Sequence, residues 1–134
     1  DACRHGAYCM YELDRRDQAL RFLLRGLSEG IPKPELCCDL GWWFFSGGRY
    51  RDAVYWYGQA AQNGKWTGET GFVMPEYRGY IPYLQMCVCY DRLGDWKMAE
   101  QYNEMAERCR PGTEACRLNR EYFDKRKAWE MDRR

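Results

Sequence analysis

Along most of the chain, apolar residues recur at helical spacing, and the runs are separated by glycine- or proline-bearing turns. This pattern predicts helices over roughly 2–13, 16–29, 33–46, 50–62, 81–93 and 96–109, with a last helix over 113–130. Gly47-Gly48 and Gly94-Asp95 supply the left-handed conformations that end one helix before the next begins. Pro82 suits the first turn of a helix, and Pro111 suits the turn after one. The last helix is heavily charged, and Cys116, Leu118, Tyr122 and Phe123 are expected to form its buried side.

The helices repeat. Ala19 and Ala53 lie 34 residues apart, as do Cys3 and Cys37, and Ala99 marks a third unit. In the second unit Leu40-Gly41, Phe44, Ala53, Tyr57 and Ala60 follow the order Leu-Gly, aromatic, small, aromatic, small, with Cys37 standing in for a large residue at the first place. In the third, Tyr83, Met86, Cys87, Tyr90, Gly94, Trp96, Ala99, Ala106 and Pro111 hold the matching places. The first is weaker, with Ala7, Met10, Leu13, Ala19 and Leu23 in place and Gly26 where an alanine is usual. Small residues let paired helices approach closely, and Phe44, Tyr50 and Tyr57 are expected to fill the space beside them. Asn103 stands where an aromatic is usual, so its helix is expected to pack less tightly.

This period and these offsets resemble the tetratricopeptide repeat. The resemblance implies an all-α, right-handed helical solenoid of about three helix pairs, with units near 1–33, 34–63 and 80–113 and a capping helix over 114–130. Ala53 and Ala99 are then buried where paired helices cross.

The period breaks once. Ala53 and Ala99 are 46 residues apart, and the excess falls in an insertion over 64–79, between the second and third units. Glycines and prolines forbid a long helix there, while Trp66, Phe72, Tyr77 and Tyr80 make it more than a linker. Such a segment either folds back on the helices or faces a partner; the first reading is preferred.

Composition narrows the function classes. With 21 basic and 20 acidic residues and no long block of either sign, the chain lacks the footprint of a nucleic-acid binder and the basic stripe of a membrane-surface helix. No apolar run is long enough to span a bilayer, so no membrane insertion and a cytoplasmic location are expected. The chain starts at Asp1 and is expected to be a piece of a longer protein. Eight cysteines without a C-x-x-C pair, beside the lone His5, argue for reduced, metal-free thiols acting as small hydrophobes.

The stretch from Gly71 to Phe123 also resembles the C-terminal repeat region of bacterial family 2 glycosyltransferases, through the aromatic insertion, "IPYLQMCVCYDRLGD" and "NREYF". That resemblance implies an accessory domain following an N-terminal transferase domain. It brings no active site: the Asp-x-Asp motif is missing, as is a phosphate-cradling glycine loop. No catalytic residues, cofactor or metal are therefore expected in this fragment. A protein or peptide partner is, with the transferase domain of the same chain as one candidate. The alternative is a stand-alone adaptor.

In the repeat fold the concave groove is lined from the first helix of each unit. It would present Tyr8, Tyr11, Trp42 and Phe45 as an aromatic strip, with Asp91 and Arg92 at the surface beside it and Cys38 at a lining place. Lys and Asn are missing from the places where related domains clamp a carboxylate, so an apolar or stacked ligand is expected.

Overall fold

The computed structural model describes residues 15–30, 33–63 and 79–133. Among them the fold is all-helical, without a strand. The helices are α1 (Arg16–Leu27), α2 (Pro34–Ser46), α3 (Tyr50–Asn63), α4 (Tyr80–Arg92), α5 (Trp96–Cys109) and α6 (Glu114–Asp132). The helix expected over 2–13 lies outside the described residues, as does all of the insertion but Gly79. Tyr80, assigned to the insertion from sequence, is the first residue of α4.

The turns are set by local chemistry. After α2, Gly48 takes φ +78°, its N–H donating to Phe45 O at 3.0 Å and that of Arg49 to Phe44 O at 2.9 Å. After α4, Gly94 takes φ +81°, with Gly94 N–H on Asp91 O at 3.0 Å and Asp95 N–H on Tyr90 O at 2.9 Å. Both are Schellman closures, which a β-carbon would strain. Asp95 then starts α5, its Oδ1 accepting from Met98 N at 3.2 Å. Pro34 opens α2, where its missing N–H costs nothing.

Each helix packs on the next in the chain, and α2 also touches α4. The order of paired residues shows that neighbours run antiparallel. Arg16 at the start of α1 bonds Ser46 at the end of α2. Phe45 at the end of α2 meets Tyr50 at the start of α3, and Arg92 at the end of α4 meets that same Tyr50. Glu104 pairs with Arg120 and Glu100 with Lys127 across α5 and α6.

Small residues set the spacing. Ala19, Ala53, Ala60, Ala99 and Ala106 are fully buried. Gly26 lies against Leu36 of α2, so the glycine that departs from the repeat pattern marks a close approach of α1 to α2.

Helix α4 has a core on each side. Cys89 and Met86 join Cys37, Cys38, Ala53, Tyr57 and Ala60, while Cys87 joins Ala99 and Phe123. Two residues advance a helix by about 200°, so Cys87 and Cys89 face opposite clusters, and small thiols let helices close on both faces.

Between α5 and α6 the sequence expectation is corrected. Asn103 is 1% exposed and holds the two helices together. Its Nδ2 donates to Cys116 O at 3.1 Å, and its Oδ1 accepts from Asn119 Nδ2 at 3.1 Å. The neighbouring Tyr102 supplies the aromatic contact instead, stacked on Tyr90 at 5.5 Å and 6°. A second correction concerns α6, whose buried side is narrower than expected. Cys116 and Phe123 are enclosed, but Leu118 and Tyr122 are exposed.

Candidate functional site: an aromatic strip across four helices

Helix α2 carries its aromatic residues near its C-terminal end, where Trp42, Phe45 and the Schellman turn lie within two turns. The indole of Trp42 is 43% exposed, while Cys38, one turn earlier, is buried in the core rather than lining a groove. Trp42 stacks on Phe45 with centroids 5.6 Å apart and planes 20° from parallel. Phe45 in turn meets the edge of Tyr50 at 5.4 Å and 71°. The tight turn through Gly48 makes this possible, because it brings the first residue of α3 back beside the last turn of α2.

The strip continues onto α4. Arg92 Nη1 donates to Tyr50 Oη at 3.3 Å, and its guanidinium carbon lies 5.9 Å from the centre of that ring. The adjacent Asp91 faces α6, where its Oδ1 accepts from Tyr122 Oη at 2.9 Å. That hydrogen bond, with some burial and the nearby carboxylate charge, raises the Tyr122 phenol above its ordinary pKa. A connected path thus runs from Trp42 through Phe45, Tyr50 and Arg92, and one residue along α4 it reaches Asp91 and Tyr122. Ile81, Leu84 and Val88 of α4 are half-buried.

Four of the residues expected in the groove, Trp42, Phe45, Asp91 and Arg92, therefore lie along this path. Tyr8 and Tyr11 are outside the described residues, as are Trp66, Phe72 and Tyr77 of the insertion. Tyr80 stands apart from the strip, with the Arg110 guanidinium 5.5 Å from its ring centre. Sequence reasoning passed over two members. Tyr50 was assigned to packing alone, although its place two residues after the Gly47-Gly48 turn puts it at the end of α2. Tyr122 was assigned to the buried side of α6, and no signal within α6 marks it as the partner of Asp91.

The other side of α2 is a lock rather than a site. Trp43 Nε1 donates to Arg16 O at 2.8 Å, the Arg16 guanidinium lies 4.5 Å from the Trp43 ring centre, and Arg16 Nη2 donates to Trp43 O. These bonds close on one another and anchor α1.

The thiols do not join the strip. Burial pushes Cys87 and Cys89 up to about 12, so both are held as neutral thiols at ordinary pH and are poor nucleophiles. Among the described residues, no three His, Cys, Asp or Glu side chains come together in a metal-binding group. Nor is any helix there long and apolar enough to cross a membrane.

No known protein-family model matches the chain, and no curated protein matches it.

Proposed function

We propose that this domain is a non-catalytic interaction module that presents the Trp42–Phe45–Tyr50–Arg92 strip to a protein or peptide partner. The observation that carries this reading is Trp42: a large ring stacked on Phe45 and 43% exposed, on a path that leads through Tyr50 to Arg92. Exposed, pre-ordered aromatic and arginine side chains are the residues that dominate binding energy at protein interfaces. Tyr50 steadies Arg92, so less side-chain freedom is lost when a partner binds.

The architecture proposed for the module is a tetratricopeptide-like right-handed solenoid of about three helix pairs closed by α6. Antiparallel packing of each helix on the next, close approach at small residues, and the double-sided packing of α4 support it. The wider role proposed is that of an accessory domain in a cytoplasmic family 2 glycosyltransferase-like protein, on the resemblance of residues 71–123. Trp42 and Phe45 lie outside that stretch, which keeps a stand-alone adaptor as the second reading. The coding sequence upstream of Asp1 separates the two. If it encodes a transferase domain, that domain should be captured by this one when supplied as a separate polypeptide, and Trp42→Ala should abolish capture. Equal capture by wild type and variant would refute the strip as the binding surface.

A further inference from the structure

A second surface lies on α6, beyond the end of the strip and sharing Tyr122 with the path that reaches it. Tyr122, Lys125, Arg126 and Trp129 fall at helical spacings of three and four and line a cleft of about 280 Å³. Trp129 is 52% exposed and Tyr122 42%. The Arg133 guanidinium carbon lies 4.2 Å from the Trp129 ring centre, adding a third cation. Two nearby carboxylates are engaged elsewhere: Asp91 accepts from Tyr122 Oη, and Glu121 pairs with Arg117 at 2.8 Å. Lys125 and Arg126 make no ion pair among the described residues.

Arg126 is also held in place. Its guanidinium carbon sits 3.4 Å from the centre of the Trp96 ring, and its Nε–H is buried without an acceptor. The protein thus keeps cations beside exposed aromatic rings without spending them on internal ion pairs.

We infer that this cleft binds an acidic protein segment, with an apolar side chain lying against Trp129 and Tyr122 and carboxylates meeting Lys125 and Arg126. Charge complementarity chooses the occupant. The volume favours a peptide side chain, being just below the roughly 300–1,000 Å³ usual for small-molecule sites. A second copy of α6 fits less well, because antiparallel pairing about the middle of this stripe sets Lys125 against the other copy's Arg126, two like charges.

Fluorescence anisotropy with three labelled peptides of equal length tests this. Each carries a central Leu-Phe, flanked in turn by Glu/Asp, by Gln/Asn and by Lys. The acidic peptide should bind the 134-residue chain and weaken as salt rises. Its neutral counterpart should bind roughly tenfold or more weakly, and Lys125→Glu or Trp129→Ala should cost the acidic peptide a similar factor. Both substitutions are at exposed positions, and melting curves confirm that the variants fold. Trp42→Ala should leave this binding unchanged, which keeps the cleft independent of the strip. The inference is overturned if no peptide binds or if all three bind alike. It also fails if Lys125→Glu has no effect, or if Trp42→Ala removes the binding. A concentration-dependent dimer dispersed by Trp129→Ala would assign the cleft to a second copy of the chain and overturn it too.

Discussion

The ring of Tyr57 lies against Gly41, so close that a β-carbon on Gly41 would come 2.8 to 2.9 Å from three of the ring carbons. Tyr57 is itself 2% exposed and packed with Ala53, Ala60 and Met86, so the ring has nowhere to go. The distance between α2 and α3 is therefore set by one missing methyl group.

Gly41→Ala should destabilise the domain despite improving helix propensity. Overpacking of about 1–3 kcal/mol outweighs a propensity gain of roughly 1 kcal/mol. Gly58 in α3 is the control, because a β-carbon there meets only Met86 Cε at 3.8 Å, an ordinary contact. Gly58→Ala should stabilise by about 0.5–1 kcal/mol. Urea denaturation of both variants checks the pair, and a midpoint that rises in Gly41→Ala would contradict the packing described.

Asn103 should matter more than its neighbours on α5. Asn103→Ala removes both hydrogen bonds to α6 and leaves Asn119 Nδ2 with the weaker Cys87 Sγ acceptor at 4.0 Å. The expected loss is about 1–3 kcal/mol. Asn119→Ala should cost less, and the double variant should cost less than the two losses together, because the residues share one network. Additive losses in a double-mutant cycle would show that the two amides act separately.

The positions of the turns were legible in the sequence, because Gly48 and Gly94 are demanded by backbone geometry that other residues strain. So were the two faces of α4, since Cys87 and Cys89 cannot point the same way on a helix. Trp42, Phe45, Asp91 and Arg92, singled out for their repeat offsets, lie along one path across α2, α3 and α4. Asn103 was misread because its partners, Cys116 and Asn119, lie on the next helix, and one sequence does not reveal which polar groups meet. Tyr122 was misread for a related reason. Among the described residues α6 packs on α5 and touches α4 at Cys87 and Asp91, and its hydrophobic residues outnumber the positions those helices cover.

Stability should fall in alkali. For Cys87 and Cys89 the folded pKa is raised by burial to about 12, from an ordinary value of 9.0. The unfolded chain then loses these protons first, so it binds fewer protons than the native state above that ordinary value. The stabilising contribution is complete below about pH 9 and is lost as the pH climbs towards about 12. Tyr83 and Tyr90, also raised chiefly by burial, act in the same direction. Urea midpoints from about pH 8 to about pH 11 should decline, and the decline should be shallower in Cys87→Ala, whatever that variant's starting stability. An unchanged slope would mean that Cys87 is not shielded from solvent.

The strip can be separated from the core by asking what each ring does. Trp42 is 43% exposed and, among the described residues, stacks on Phe45, whereas Tyr57 is enclosed and spaces two helices. Trp42→Ala should therefore shift stability by no more than about 1 kcal/mol. Tyr57→Ala should cost about 3–5 kcal/mol through the cavity it leaves. Binding should show the reverse order among variants that stay folded. Truncating Trp42 should weaken a partner by 2 kcal/mol or more, roughly thirtyfold, as loss of an interface anchor does. Tyr50→Phe should weaken it less, because the ring remains and only the hydroxyl that steadies Arg92 is lost. Thermal melts and calorimetric titration of these variants decide the matter. If Trp42→Ala melts like Tyr57→Ala, the indole belongs to the core, and the partner surface must be sought elsewhere.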